Sequence, residues 1–170
     1  MSSRQLAGEF LAAALIMAMA GCSGVRQEGP IQRSAEVGVD MPSRGVLPLT
    51  FGMPLSPTAG PVTLASVELP VVTGLEIVAV KTCQGSPWTG DSFLNCAPTG
   101  VVWPPPGVAL GEVAGTLVGA EPQDQGGLLV GARLLPGANW GQVDGVRITY
   151  AYNGITYQVD QPWTFSITSP

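Results

Sequence analysis

Histidine is absent from this chain, and lysine occurs once, at Lys81. Without histidine there is no Ser-His-Asp or Cys-His hydrolase site, no HExxH zinc site and no His-ligated blue-copper centre. Positive charge is scarce as a whole: 7 basic residues stand against 12 acidic ones, a formal net charge of −5. Nucleic-acid binding needs a cationic footprint to displace counterions, so that class is excluded. Cysteine is limited to three positions, and none lies in a CxxC pair, so a thiolate zinc site is excluded as well.

What is present begins with an uncharged apolar run, Phe10–Gly21 (FLAAALIMAMAG), of twelve residues. A bilayer-spanning helix needs about 20. The run instead has the size of a signal-peptide core, with small residues after it. Ala18-Met19-Ala20 offers an A-x-A cleavage site. The overlapping Met19-Ala20-Gly21-Cys22 resembles the lipobox of bacterial lipoproteins, matching its strongest positions at Ala20, Gly21 and Cys22, with Met19 in place of the usual Leu. The resemblance implies a diacylglyceryl group on the Cys22 thiol and cleavage just before it. Residues 1–21 are then a lipoprotein signal peptide. The resemblance covers only about the first 22 residues and implies nothing about the rest.

Cysteine arithmetic separates the two cleavage readings. Cys83 and Cys96 lie 13 positions apart, and in an exported chain they read as one disulfide. Such a bridge closes a polar, Gly-rich loop of a length worth about 3 kcal/mol in the chain-entropy model. Cys22 is the odd thiol. It is left free and oxidisable under the A-x-A reading, and becomes the lipid attachment site under the lipobox reading, which leaves no thiol over. The expected location is therefore extracytoplasmic, lipid-anchored to the bacterial cell membrane, with the bilayer as partner through acylated Cys22. An acidic body adds no attraction to anionic headgroups, so the acyl chains must hold it alone.

Residues 22–45 mix Gly, Pro, Ser and charge without periodicity and read as a flexible tether. The folded domain is expected over 46–170. Val46–Pro61 carries four prolines and suits an edge strand or an extended strap. Val62–Leu69 alternates and then shifts phase at Ala65-Ser66, which predicts a bulge. Leu75–Lys81 (LEIVAVK) is apolar on both parities, as a strand buried on both faces would be. Val101–Trp103, part or all of Val108–Val118, and Leu128–Leu134 complete the middle of the chain. In the last of these, Leu128, Val130, Ala132 and Leu134 share one face.

Near the C-terminus Asn153-Gly154 sits between two alternating runs, a strong hairpin signal. A two-residue turn sets Tyr152 opposite Ile155, Tyr150 opposite Tyr157 and Ile148 opposite Val159 on one face. The other face pairs Ala151 with Thr156, Thr149 with Gln158, and Arg147 with Asp160. Beyond Pro162, Trp163, Phe165 and Ile167 alternate with polar residues, which predicts a third strand. No segment sustains helical periodicity over ten residues. The fold class is all-β, an Ig-like antiparallel β-sandwich of about seven to eight strands.

The chemistry-bearing residues give little to build an enzyme on. Eight carboxylates from Glu68 to Asp160 show no spacing that sets two on one strand face, so no catalytic residue is assigned and the chain is not expected to be an enzyme. Glu121-Pro-Gln-Asp124 is not an EF-hand loop, and Met41 and Met53 are too few for a Cu(I) tract. No metal and no cofactor are expected. The aromatics are the feature with binding potential, because rigid apolar area costs little entropy to order. Trp88 lies in the loop between Cys83 and Cys96, and Trp140 in a Gly-rich loop, PGANWGQ; both are candidate contacts. Trp103 and Trp163 read as packing residues, and the three tyrosines as core-facing. The expected function is a binding or structural, non-catalytic domain that contacts an envelope protein or glycan. The alternative is a cell-envelope carbohydrate-binding module that uses the loop tryptophans Trp88 and Trp140.

Overall fold

The computed structural model describes residues 25–27, 29–84, 98–121 and 124–170, with backbone alone described for two short strands at 88–89 and 92–93. In chain order the strands are β1 (Val37–Pro42), β2 (Leu49–Leu55), β3 (Val62–Glu68), β4 (Val71–Thr73), β5 (Leu75–Gln84), β6 (Trp88–Thr89), β7 (Ser92–Phe93), β8 (Leu110–Gly111), β9 (Leu117–Val118), β10 (Gly126–Leu134), β11 (Trp140–Tyr152) and β12 (Ile155–Thr168). The described residues contain no α-helix, and the fold is all-β. One sheet runs β1-β12-β11-β3-β9, with β4 also on β11; the second runs β2-β10-β5-β8; β6 and β7 pair with each other.

The C-terminal hairpin forms as its alternation requires. Asn153 (φ 49°) and Gly154 (φ 74°) both adopt positive φ, the pair of conformations a type I′ turn needs. All six expected cross-strand pairs occur, from Tyr152 opposite Ile155 to Arg147 opposite Asp160. On the inner face Ile148, Tyr150, Tyr157 and Val159 are buried, with the Tyr150 and Tyr157 rings stacked at 5.6 Å. The predicted phase shift in β3 is also present: Ser66 pairs with Thr149 and Leu64 with Tyr150, which leaves Ala65 as the extra residue.

The core lies between the two sheets. Leu49, Phe51, Met53 and Leu55 of β2 and Leu128, Val130 and Ala132 of β10 meet Val62, Leu64, Val143, Ile148, Phe165 and Ile167 of the first sheet. Phe51 and Phe165 stack across the interface with centroids 4.3 Å apart. At about 1.5–3 kcal/mol for each large apolar side chain removed from water, this layer holds the two sheets together. β2 is an edge strand, as its prolines suggested. Its outer edge is partly covered by residues 99–102, through Thr50 N to Val101 O and Gly52 N to Thr99 Oγ1. Pro54 has no N–H to leave unpaired on that edge.

Several expectations are corrected. The stretch 22–45 is not a tether in the part described, since from Arg26 onward it belongs to the sandwich. Arg26 bridges Tyr157, Ile31 is buried, and β1 pairs with β12 from Val37 opposite Trp163 to Pro42 opposite Thr168. That pairing is parallel, so the sandwich is not purely antiparallel. No third strand follows Pro162, because β12 continues to Thr168. A bulge sets Pro162 and Trp163 against the single residue Gly145, and a proline sits there without breaking the ladder. β5 is only half-buried along Leu75–Lys81, with Val78 41 % exposed at a third bulge, opposite Gly131 and Ala132. Val101–Trp103 makes only a bridge, Leu49 to Val102, and 108–118 yields two strands of two residues each.

The proline-bearing segment 103–108 serves as a cover. It lies across the outside of the second sheet, where Trp103 and Val108 cover Cys83 and Leu129 in a second small core. The indole rests on the backbone of Gly131, where a Cβ would stand 2.5 Å from Trp103 Cδ2. Only glycine admits so close an approach.

Candidate functional site

Trp140 is the predicted contact residue that the structure describes fully. It is not in a loop but opens β11, and it is 47 % exposed. Its parity sends it to the outer face of the first sheet, since Gly141 and Val143 are buried while Gln142 and Asp144 are not. Facing partners in a ladder point to one side. Trp140 therefore shares its face with Thr168, Gln142 with Ser166 and Thr73, and Asp144 with Thr164 and Val71. Asp40 of β1 joins the same rows through Ser166.

The polar groups on this face are already ordered by one another. Ser166 Oγ and Thr168 Oγ1 donate to Asp40 Oδ1 at 2.9 and 3.0 Å, and Thr164 Oγ1 donates to Asp144 Oδ1 at 3.3 Å. Among the described residues neither carboxylate has a cation within ion-pair distance. The result is an exposed indole at one end of a flat face, followed at steps of about 7 Å by rows of carboxylate, amide and hydroxyl groups. Such a face offers apolar area for stacking and both donors and acceptors beside it.

Farther along the same face Arg147 lies between two acids. Its Nε donates to Asp160 Oδ1 at 2.8 Å, and its guanidinium is 3.7 Å from Glu68. The hydrogen bond from Arg147 holds the Asp160 carboxyl below the usual aspartate range, and its counterpart raises Arg147. This is the expected opposite-charge pair, on an exposed surface where it contributes little.

Two clefts stand out among the described residues. One, of about 430 Å³, opens between the N-terminal segment and β12 and is lined by Gln27, Gln32, Arg33, Gln158 and Asp160. The other, of about 270 Å³, is an apolar groove between the β1 and β2 edges, lined by Val37, Val39, Phe51, Met53, Trp163 and Phe165. Neither contains Trp140. Both depend on where residues 26–37 run, and no periodicity in that segment foretold its docking. No group of three or more metal-ligating side chains occurs among the described residues.

The remaining predicted residues are distributed differently. Trp88 is described only as backbone of β6, and Cys22 and Cys96 lie outside the described residues. Cys83 is buried near the end of β5, with Sγ 3.7 Å from Gly127 O. The structure does not bring Trp88 and Trp140 into one site. Leu75, at the start of β5, reaches Gly141 beside Trp140. Gln84 lies nine residues along the strand, about 30 Å away. Four further residues to Trp88 span at most about 14 Å, too little to return.

Trp163 is buried and Trp103 partly buried, each in the packing role its neighbours require. Tyr152 lies at the sheet end, its hydroxyl donating to Ala59 O at 3.0 Å. Comparison with known proteins finds no matching family model, no matching curated protein and no matching solved structure.

Proposed function

We propose that this chain is an extracytoplasmic lipoprotein, anchored through acylated Cys22, whose Ig-like sandwich binds a component of the bacterial envelope and does not catalyse. In this reading Cys83 and Cys96 form the disulfide and Cys22 is the thiol left for lipid. Strand order supports the Ig-like assignment. Numbered by their long strands, β2-β10-β5 take the places B-E-D and β12-β11-β3 the places G-F-C of an immunoglobulin-type sandwich. The departures are β1, which joins β12 in place of β2, and the cysteines, which do not bridge the sheets between B and F.

The observation that carries the binding role is Trp140, half exposed on a sheet face whose neighbours are carboxylate, amide and hydroxyl groups. An indole stacks on the apolar face of a sugar ring, while Asp and Gln side chains bond its hydroxyls. An envelope glycan is the ligand this arrangement suits best, with Trp140 as its contact and Trp88 at the other end of the molecule. Titration of tryptophan fluorescence with soluble cell-wall glycan fragments is expected to shift the emission. Trp140→Ala should weaken binding at least about tenfold, the loss of roughly 1.4 kcal/mol, and Trp88→Ala should leave it unchanged. Loss of binding in Trp88→Ala alone would transfer the contact to the other end. A flat response across the fragments would turn the assignment to a protein partner.

A further inference from the structure

Arg26 and the stretch Gly29–Ser34 are docked on the sandwich, and the way they are docked sets an orientation. Arg26 N donates to Thr156 O at 3.1 Å, and Gln158 N donates to Arg26 O at 2.8 Å. The bridge is parallel, so Val25 enters it from the side of the Asn153-Gly154 turn, where β12 starts. From Gly29 to Ser34 the chain is latched at several points. Gly29 lies so close to the core that a Cβ would stand 2.5 Å from Tyr150 Oη and 2.7 Å from Tyr157 Cδ1. Ile31 is buried, and its N–H donates to Tyr150 Oη at 3.2 Å. Thr58 N donates to Pro30 O at 2.9 Å. Gln161, itself buried, accepts from Ser34 N and donates to Gln32 O, each at 2.8 Å. A buried amide satisfied on both sides fixes the strap against β12, because removing it would orphan both of its partners.

We infer that this strap holds the sandwich upright on the bilayer, with the β11–β12 turn and the β2–β3 loop toward the lipid and the Trp140 end away from it. The inference rests on acylation of Cys22, proposed above. Cys22 is four residues before Arg26, so the anchor lies within about 14 Å of Arg26, whose bridge partner Tyr157 is only three residues past Gly154 of the hairpin turn. Trp140 is twelve residues from Tyr152 along β11, about 40 Å from that end.

The chemistry of the proximal end suits a lipid surface. The turn Tyr152–Ile155 and the loop Ser56–Pro61 carry no charge in a chain of net charge −5, and Val25 there is 50 % exposed. The β9–β10 connection leaves the same end with Glu121 and Asp124, so the fit is to a zwitterionic surface and is weakened by anionic lipid. The consequence is that Trp140 is presented to whatever lies beyond the membrane, while the loop bearing Trp88 starts from the proximal end.

Energy transfer tests the inference on the full acylated chain in phosphatidylcholine vesicles that contain a headgroup-labelled acceptor lipid. One donor is placed at the proximal end with Ala59→Cys, the other at the distal end with Asn139→Cys; both positions are exposed. Transfer is expected to be severalfold higher from position 59. Gly29→Val, which forces the strap off the tyrosines, should shrink that contrast while vesicle binding persists. Cys22→Ser should abolish vesicle binding. Equal transfer from both positions, or higher transfer from 139, with the protein still bound, would overturn the orientation and leave the anchor standing. A chain with intact Cys22 that fails to associate with vesicles would remove the anchor itself, and the orientation with it.

Discussion

The outer faces of the two sheets are built on the same alternation and end in opposite states. On the first sheet, outward residues of β11 and β12 remain at the surface as polar pairs, among them Arg147 with Asp160 and Gln142 with Ser166. On the second sheet, outward Leu129 and Cys83 are buried, because Trp103 and Val108 lie over them. A face with polar side chains is satisfied by water and stays bare. A face with apolar side chains must be covered. The chain supplies the cover from its own proline-bearing segment. The lesson is that strand alternation tells which residues share a side, while burial of that side depends on what another part of the chain lays over it.

Removal of the cover should have the largest effect. Trp103→Ala is expected to destabilise the fold by about 2–3 kcal/mol, below the 3–5 of a fully buried tryptophan because this indole is only partly buried. Trp140→Ala, on the bare face, should change stability by less than about 0.5 kcal/mol. Urea denaturation of the two variants under matched conditions checks the contrast. Equal losses would mean that the two faces are not different in kind.

A smaller effect of opposite sign is expected at Thr50. It lies opposite Gly131 beneath the cover, fully buried, and its Oγ1 has no hydrogen-bond partner among the described residues. An orphaned buried hydroxyl costs about 1–3 kcal/mol, less whatever solvation it retains. Thr50→Val keeps the shape and removes the hydroxyl, so a gain of up to about 1 kcal/mol is predicted, read as a raised midpoint in the same denaturation series. A loss of stability would show that the hydroxyl has a partner, and that the cover is less dry than its packing implies.

The smallest effect belongs to the bare face. Asp160 is held below its ordinary range by Arg147. A depressed carboxyl contributes stability above its unfolded value, about 3.9, and loses that contribution as pH falls through the lower folded value. Asp160→Asn should therefore flatten the acid side of the stability profile below about pH 4. The difference should shrink in high salt, because the pair is exposed and screened. A profile identical to that of the parent chain would show that the pair adds nothing to the fold.

How far the sequence could be read follows from the range of the forces involved. The hairpin register, the bulge at Ala65 and the edge position of β2 were readable because each rests on local chemistry: a turn dipeptide, a phase shift and a run of prolines. The docked strap was not readable. Gly29, Ile31 and Ser34 are held by Tyr150, Tyr157 and Gln161, more than 100 positions away, and no local pattern announces such partners. The same holds for Trp140. Its place in a Gly-rich stretch suggested a loop, yet Thr168 and Ser166 across the ladder draw it into β11. Pro162 read as a strand end because the bulge on β12 that accommodates it exists only in the pairing against Gly145 of the neighbouring strand.

By itself the sequence determined the all-β class, the hairpin with its inner and outer faces, and the exclusion of histidine chemistry and of a cationic surface. Side-chain alternation and composition act over a few residues, so no tertiary information was needed. Only the tertiary structure decided that residues from Arg26 onward belong to the fold, that Trp103 covers a second core, and that Trp140 and the Gln84 end of β5 lie at opposite ends. Those outcomes depend on burial and edge pairing between segments far apart in the chain, and chain distance says nothing about which surfaces will meet.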